Sequence, residues 1–328
     1  MMYTSGTTGR PKGVWTGVLD ESDAEALVAE ERELWGFCRD DRMLIVSPLH
    51  HSAPLRFAGG VLLEGGSVVL SRGTAHLAEA IAHHRPTSSF VAPAHLQRLF
   101  AATELPPLGS FRLIAHAGAP CPEPLKLRAI EAFPRDSVWE FYGSTEGQFT
   151  ACSTADWSAR PGTVGRARPG RRLEIAADST IWCHVPRHAR FEYWNDPDKT
   201  ARAWRDGAFG VGDLGRLDDD GYLFLDGRRD DLIITGGVNV YPLEIEQAIV
   251  AHPGVLEAAV FPLPDERWGQ AVVAAVVGDV DLDELRTHLA ARLAPYKLPK
   301  RIERVAELPH SPTGKLKRST VAAELGLA

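Results

Sequence analysis

Tyr3-Thr4-Ser5-Gly6-Thr7-Thr8-Gly9-Arg10-Pro11-Lys12-Gly13-Val14 is the stretch from which the rest of the chain is read. It packs three glycines, four aliphatic hydroxyls and two cations into twelve residues, a mixture suited to holding a polyanion. Glycines let backbone N–H groups approach closely, hydroxyls donate to anionic oxygens, and Arg10 and Lys12 offset charge. A polar Gly/Ser/Thr turn accounts for the same composition without a ligand. A Walker A loop does not fit, because no Gly-Lys-Ser/Thr follows Gly6 or Gly9 at the required spacing.

Working outward, 328 residues suffice for one large and one small domain. Hydrophobic residues make up 44% and charged residues 24%, an ordinary balance for a globular chain. The net charge of −7 gives no electrostatic footprint for nucleic acid, and no basic tract suggests an anionic membrane. No apolar run is long enough to span a bilayer. Cys38, Cys121, Cys152 and Cys183 have no paired spacing, which favours reduced thiols over a zinc site or disulfide framework and predicts a cytoplasmic protein.

Residues 22–38 predict a helix capped by Ser22 or Asp23, with Ala24, Leu27, Val28, Leu34 and Trp35 as its apolar face. Short apolar strands at 43–46, 68–70, 88–91, 113–116 and 138–141 then alternate with helical stretches near 75–83, 94–102 and 122–133. That alternation predicts parallel-sheet α/β layers, with ligands at the strand C-terminal ends, in the loops at 48–54, 116–122 and 142–147. From about residue 157, Arg-, Pro- and Gly-rich segments separate strands at 173–175, 181–184 and 222–225, predicting a smaller β-rich layer. Asp226-Gly227-Arg228-Arg229-Asp230-Asp231 is a charged turn between two apolar runs. The expected domains are 1–226 and 232–328, joined by a hinge at 227–231. In the second, Pro242 opens a helix, 255–261 and 272–277 are strands, and Asp281 with Glu284 forms a capping box before the Leu282, Leu285, Leu289, Leu293 stripe.

Four further motifs follow the opening stretch. Tyr142-Gly143-Ser144-Thr145-Glu146-Gly147 places a ring that can stack on a base beside a hydroxyl and a carboxylate that can hold Mg²⁺. His116-Ala117-Gly118-Ala119-Pro120 is a small-residue loop on which a flat ring can pack, although a tight strand-to-helix turn accounts for it nearly as well. Val211-Gly212-Asp213-Leu214-Gly215 offers an acid that can accept from both ribose hydroxyls. Ser311-Pro312-Thr313-Gly314-Lys315 sets a cation on a glycine turn, able to meet developing negative charge. His50 and His51 are adjacent and lack the i,i+4 spacing of a helical zinc pair.

This ordered series resembles the adenylate-forming superfamily, which includes acyl-CoA synthetases, luciferases and peptide-synthetase adenylation domains. The likeness covers almost the whole chain. It implies an α/β fold: a large adenylate-forming domain of layered sheets with a small β-rich subdomain, then a small mobile α+β C-terminal domain. Typical members carry a long segment before the phosphate loop, so the large domain is expected to be truncated at its N-terminus.

The resemblance also implies roles. Thr4, Ser5, Gly6, Thr7, Thr8, Gly9 and Lys12 would cradle the phosphates of ATP. Tyr142 and Gly143 would face adenine, with Gly118, Ala119 and Pro120 on its other side. Thr145 and Glu146 would meet phosphate and Mg²⁺, Asp213 and Arg228 the ribose or phosphate, and Lys315 the adenylation step. Val211 stands where most members have Thr or Ser. Asp230 would be the pivot of the small domain, and His51 and Gly237 would flank the acyl pocket and thiol tunnel, with His50 replacing an aromatic.

Pro48-Leu49-His50-His51-Ser52-Ala53-Pro54, Ala117-Gly118-Ala119-Pro120-Cys121-Pro122 and Phe191-Glu192-Tyr193-Trp194-Asn195-Asp196-Pro197 look like the fatty-acid/bile-acid CoA ligase branch. The implied reaction is ATP-dependent, AMP-forming ligation of a carboxylic acid to coenzyme A. Two alternatives stay open: transfer to a carrier-protein thiol or an amine, and an inactive remnant that binds nucleotide or a partner. A homodimer, or a partner supplying the missing segment, belongs to the same expectation.

Overall fold

A computed structural model of the chain describes residues 1–4, 12–71, 76–310, 316 and 318–327. Its internal contacts divide it into two units. The first comprises Met1–Cys121, Leu125–Val211 and Arg216–Phe224; the second comprises Pro122–Pro124, Gly212–Gly215 and Leu225–Ala328.

In the first unit the expected strands form one five-stranded parallel sheet in the order Ser67–Leu70, Arg42–Ile45, Ser88–Val91, Leu113–His116, Val138–Glu140. Every residue of Ser88–Val91 and Leu113–His116 is buried, as strands covered on both faces must be. Alternate residues feed different faces. Leu44 and Ile114 join Leu77, Ile81, Leu96 and Phe133 on one side, while Met43, Ile45, Leu113 and Ala115 join Trp35, Phe57, Val61 and Phe141 on the other.

Residues 22–38 fold as the helix Glu21–Trp35, but its cap is Asp20 rather than Ser22 or Asp23. The Asp20 carboxylate accepts from Asp23 N at 2.9 Å, leaving Glu21 and Asp23 in the first turn where acids suit the helix dipole. Gly36, at φ 62°, ends the helix. Near this C-terminal end Glu30 and Glu31 enter a buried ion network. Glu31 accepts from Arg56, from Arg168 at 2.9 Å and from Trp35 Nε1 at 3.0 Å. Glu30 meets Arg168 at 2.8 Å, Arg171 at 2.5 Å and His188 at 3.0 Å. Burial opposes the Glu31 charge, yet the Arg56 and Arg168 guanidiniums hold its carboxyl at about 2.

The β-rich part comprises a four-stranded antiparallel sheet, in the order Arg172–Ile175, Ile181–His184, Ala208–Phe209, Trp204–Arg205. A separate three-stranded sheet pairs Met2–Thr4 with Lys12–Trp15, and Lys12–Trp15 with Glu192–Tyr193, all antiparallel. The strand expected at 222–225 runs instead over Leu223–Arg228 and pairs with Asp213–Leu217.

In the second unit a long hairpin, Val255–Asp265 with Gly269–Gly278, carries the sheet. Ile233–Thr235 and Val238–Val240 extend one edge, and Arg301–Arg304 pairs in parallel with Gly269–Gly278. The helices Pro242–Val250 and Leu282–Ala290 cover one face with Ile245, Ile249, Leu285 and Leu289. Ala259, Phe261, Val273 and Ala275 pack on the other face with Leu308 and Val321. Asp281 caps as expected, accepting from Asp283 N at 2.8 Å and Glu284 N at 3.0 Å.

Candidate functional site

Tyr142–Gly147 begins two residues after the strand Val138–Glu140 ends, and it is a tight hairpin. Ser144 N donates to Gly147 O at 2.8 Å, Phe149 N to Tyr142 O at 2.9 Å, and Glu146 N to Ser144 Oγ at 3.2 Å. The glycines are steric requirements. A Cβ on Gly143 would meet Gly147 O at 2.8 Å and Gln148 Cα at 2.9 Å, and one on Gly147 would meet the Phe209 ring at 2.7 Å. Phe149 packs between the Tyr142 and Phe209 rings, tilted against both, with centroids 4.8 Å from each. The ring and the acid thus sit on one stiff turn, with Thr145 partly exposed between them.

Glu146 is only 9% exposed, and its Oε1 accepts from the Tyr193 hydroxyl at 2.7 Å. Tyr193 lies opposite Val14 on the strand leaving the opening stretch, and the Lys12 ammonium is 5.7 Å from its ring centroid. Lys199 Nζ lies 5.2 Å from the same centroid. Tyr193 therefore brings Lys12 and Glu146 together, two residues far apart in sequence. Burial and the Glu146 charge push its phenol pKa well up, so it stays a donor at any physiological pH.

A second anchor lies beneath the adjoining loop. Parallel register sets His116 opposite Glu140, and Phe141 N donates to His116 O at 3.1 Å. Lys126, on the helix Glu123–Ala132, points inward and is fully buried. Its ammonium lies 2.6 Å from His116 Nε2 and 3.2 Å from Glu140 Oε2. Burial and then the Lys126 charge hold the His116 pKa well below its usual value, which leaves Nε2 an acceptor for the ammonium. Burial pushes the Glu140 carboxyl up, with Lys126 opposing. One cation thus pins the strand ends from which the Gly118-Ala119-Pro120 loop and the Tyr142 hairpin both spring. Cys121 and Cys152 nearby are raised by burial and by Glu140, Cys152 to about 12, so neither is a nucleophile.

His51 occupies the N-cap of the helix Ser52–Leu63 with its ring 4.2 Å from that of His50. Thr4 pairs with Lys12 through the backbone. Ser5, Gly6, Thr7, Thr8, Gly9 and Lys315 fall outside the described residues.

In the second unit Asp213 opens its strand, 7% exposed, with Arg228 Nε 2.9 Å from its Oδ1. Arg229 N donates to Gly212 O at 3.0 Å, closing the hairpin beside them. Gly237 sits exposed in the turn between Ile233–Thr235 and Val238–Val240, at φ 79°. Sequence reasoning overlooked Tyr193 and Lys126. The first stood inside a quoted string whose individual residues carried no assigned role. The second reads as an ordinary surface lysine on an amphipathic helix.

Among the described residues no three His, Cys, Asp or Glu side chains cluster to hold a metal ion, and no helix is long and apolar enough to cross a membrane. The donor set fits Mg²⁺ nonetheless. Mg²⁺ takes hard oxygens, usually one or two carboxylates with water and substrate phosphates, and Glu146 uses only Oε1 toward Tyr193.

A parallel sheet with loops at its strand C-terminal ends, and a second α+β unit, is the architecture expected of the adenylate-forming class. Residues 1–183 match the AMP-binding enzyme family and residues 244–315 match the AMP-binding enzyme C-terminal domain; the chain belongs to this family. It is 33% identical to the long-chain-fatty-acid–CoA ligase FadD13 of Mycobacterium tuberculosis, over 98% of this chain and 66% of that protein. Among solved structures it resembles ATP-bound MatB from Rhodopseudomonas palustris, with TM-score 0.85, 31% identity and coverage of 99% of this chain and 67% of that one. It also resembles the o-succinylbenzoate–CoA synthetase MenE of Bacillus subtilis in complex with ATP and magnesium, with TM-score 0.83, 30% identity and coverage of 98% and 69%. The chain thus spans about two thirds of the length of the relatives it matches.

Proposed function

We propose that the chain takes part in AMP-forming activation of a carboxylic acid and its transfer to the thiol of coenzyme A. The observation that carries this reading is the convergence of Lys12 and Glu146 on Tyr193, which joins the phosphate-loop strand to the acid-bearing hairpin. Membership of the family and the CoA ligases among the relatives support it.

In this reading the acid attacks the α-phosphate of ATP and pyrophosphate leaves. Thr4, Ser5, Thr7, Thr8 and Lys12 hold the departing phosphates. Tyr142 and the Gly118-Ala119-Pro120 loop take adenine, and Asp213 with Arg228 takes the ribose. When bound, Mg²⁺ supplies charge neutralisation at the phosphates; Glu146, fixed by Tyr193, presents an oxygen to it. Lys315 places its cation on the charge that develops at the reacting phosphoryl group. Asp230 is the pivot about which the second unit exchanges Lys315 for the thiol, with His51 and Gly237 along the thiol path. The proposed domains are 1–226 and 232–328 about a hinge at 227–231. We place the protein in the cytoplasm, where the free thiols Cys38, Cys121, Cys152 and Cys183 stay reduced. A homodimer or a protein partner is part of the same reading, and light scattering of the purified native product decides it.

The test is acid-dependent exchange of pyrophosphate into ATP, screened across fatty, aromatic and steroid-side-chain acids. Exchange with at least one acid, followed by CoA-dependent release of AMP, is the expected result. Exchange without CoA acceptance moves the acceptor to a carrier thiol or an amine. ATP binding with no exchange for any acid overturns the reading.

A further inference from the structure

Resting on that reading, we infer that Lys126 is the positioning residue of the adenine slot: a buried cation that fixes where the Gly118-Ala119-Pro120 loop and the Tyr142 hairpin leave the sheet. Lys126 and Ala129 are the buried residues of the helix Glu123–Ala132, which turns Glu123, Leu127 and Arg128 to solvent. The Lys126 ammonium lies 2.6 Å from His116 Nε2 and donates to Glu140 Oε2 at 3.2 Å. It also lies 5.9 Å from the centroid of the Trp157 ring, a residue 4% exposed. His116 is the last residue of the strand Leu113–His116, and Glu140 is the last of its parallel neighbour Val138–Glu140. Residues 117–122 run from the first of these strands into the helix that bears Lys126. One contact therefore ties the two ends of that loop to each other, and the same ammonium reaches the strand end from which the hairpin starts.

Three features make this a positioning device as well as a stabilising one. First, the loop has little of its own to hold it. Among residues 117–122 only Ala117 is buried, and Gly118 stands at φ 91° with no atom within 4 Å of where a Cβ would be. Its course is set at its ends. The hairpin is the reverse: the close approaches at Gly143 and Gly147 stiffen it, so it follows the strand end that carries it. Second, a buried ion pair is a poor source of net stability, since desolvation consumes most of the attraction. What it does give is direction, because an ammonium holds its acceptors at hydrogen-bond distance where apolar side chains could slide. Third, the other parts of the nucleotide site are tied elsewhere. Glu146 is held by the Tyr193 hydroxyl, and Lys12 begins a strand of a different sheet. Lys126 is fully buried, so it acts through the two loops and not on the nucleotide itself. Loss of its charge should be felt at adenine and not at pyrophosphate.

Pyrophosphate exchange separates this role from simple stability, because it yields a KM for ATP and a KM for pyrophosphate from one reaction. Lys126→Met keeps the length of the side chain and removes its charge. It is expected to raise the KM for ATP about 10-fold, with the KM for pyrophosphate and the maximal rate within about twofold, as for a misplaced binding surface. This variant also loses stability, since Glu140 is left buried without its cation. Adding Glu140→Gln to Lys126→Met removes the stranded carboxylate, so the melting temperature recovers toward that of the unmodified protein while the KM for ATP stays raised. Calorimetry with AMP repeats the comparison without turnover, and AMP should bind about 10-fold more weakly to both variants. If the KM for ATP recovers with the melting temperature, if both KM values rise together, or if neither variant weakens AMP binding, the inference is wrong. An unmodified protein that neither binds AMP nor exchanges pyrophosphate overturns the proposed function instead, before any variant is compared.

Discussion

Glu146 in the first unit is gripped by its own atoms: a phenol hydroxyl 2.7 Å from Oε1, a stiff glycine hairpin around it and burial on most sides. In the second unit the described residues flanking 311–315 are held instead: Leu316 is packed and bridged to His310, and Arg318 is bonded to Asp231, Val260 and Glu246. In the proposed reading the difference follows from what each group is asked to do. A metal-holding carboxylate serves best when it never moves, so the fold immobilises the functional group. In that reading the cation of Lys315 serves only one step, so fixed flanks suit it better than a fixed ammonium.

The largest expected effect breaks the comparison at Lys315. Lys315→Ala removes the charge and leaves the flanks, so acid-dependent exchange should fall by about 10²–10³-fold; an unchanged melting temperature shows that only the charge was lost. Glu31 probes the first unit through its stability. Its folded carboxyl is held at about 2 against an ordinary 4.5, so its contribution is full above 4.5 and is lost as pH falls toward 2. That difference is worth about 3 kcal/mol. Trp35, bonded to Glu31, reports it: its emission should shift red over that window, and Glu31→Gln should lower stability at neutral pH while flattening the acid limb. Tyr193→Phe frees Glu146 without removing it. Calorimetry should then show the Mg²⁺ requirement for ATP binding rising by about 10-fold, as when a metal ligand loses its supporting hydrogen bond. Smallest is Asp281→Ala, which removes a helix cap from the second unit. A stability loss of about 1 kcal/mol with exchange unchanged would show that destabilising this unit is not enough to displace Lys315.

The parallel sheet was legible because each of its strands is a short apolar run followed by a helical pattern, and burial on both faces writes itself directly into composition. Ser88–Val91 and Leu113–His116 have the limits read from the sequence. The three-stranded sheet of Met2–Thr4, Lys12–Trp15 and Glu192–Tyr193 was not legible, since its third strand is two residues long and comes from a distant part of the chain. Tyr193 was missed for the same reason: its importance lies in register with Val14, which no local pattern encodes. The segment around Arg168 and Arg171 read as a polar connector, yet both side chains are buried against Glu30 and Glu31. Residue type predicts exposure there, and tertiary pairing overrides it. Asp20 was passed over because Ser22 and Asp23 are equally good caps by chemistry, and only the helix start distinguishes them.

The Glu30–Glu31 network also has a consequence in time. Arg168 lies 137 residues after Glu31, and His188 lies 158 after Glu30. At a synthesis rate of ~5–20 residues per second, the helix leaves the ribosome roughly 7–30 s before those partners exist. For that interval Glu31 has only Arg56, 25 residues after it, and Glu30 has none of its cations, so docking must wait. Contacts of such long range also slow folding once the chain is complete. Yield of the active protein should therefore respond to growth temperature and chaperone supply more strongly than the stability of the finished fold alone would suggest.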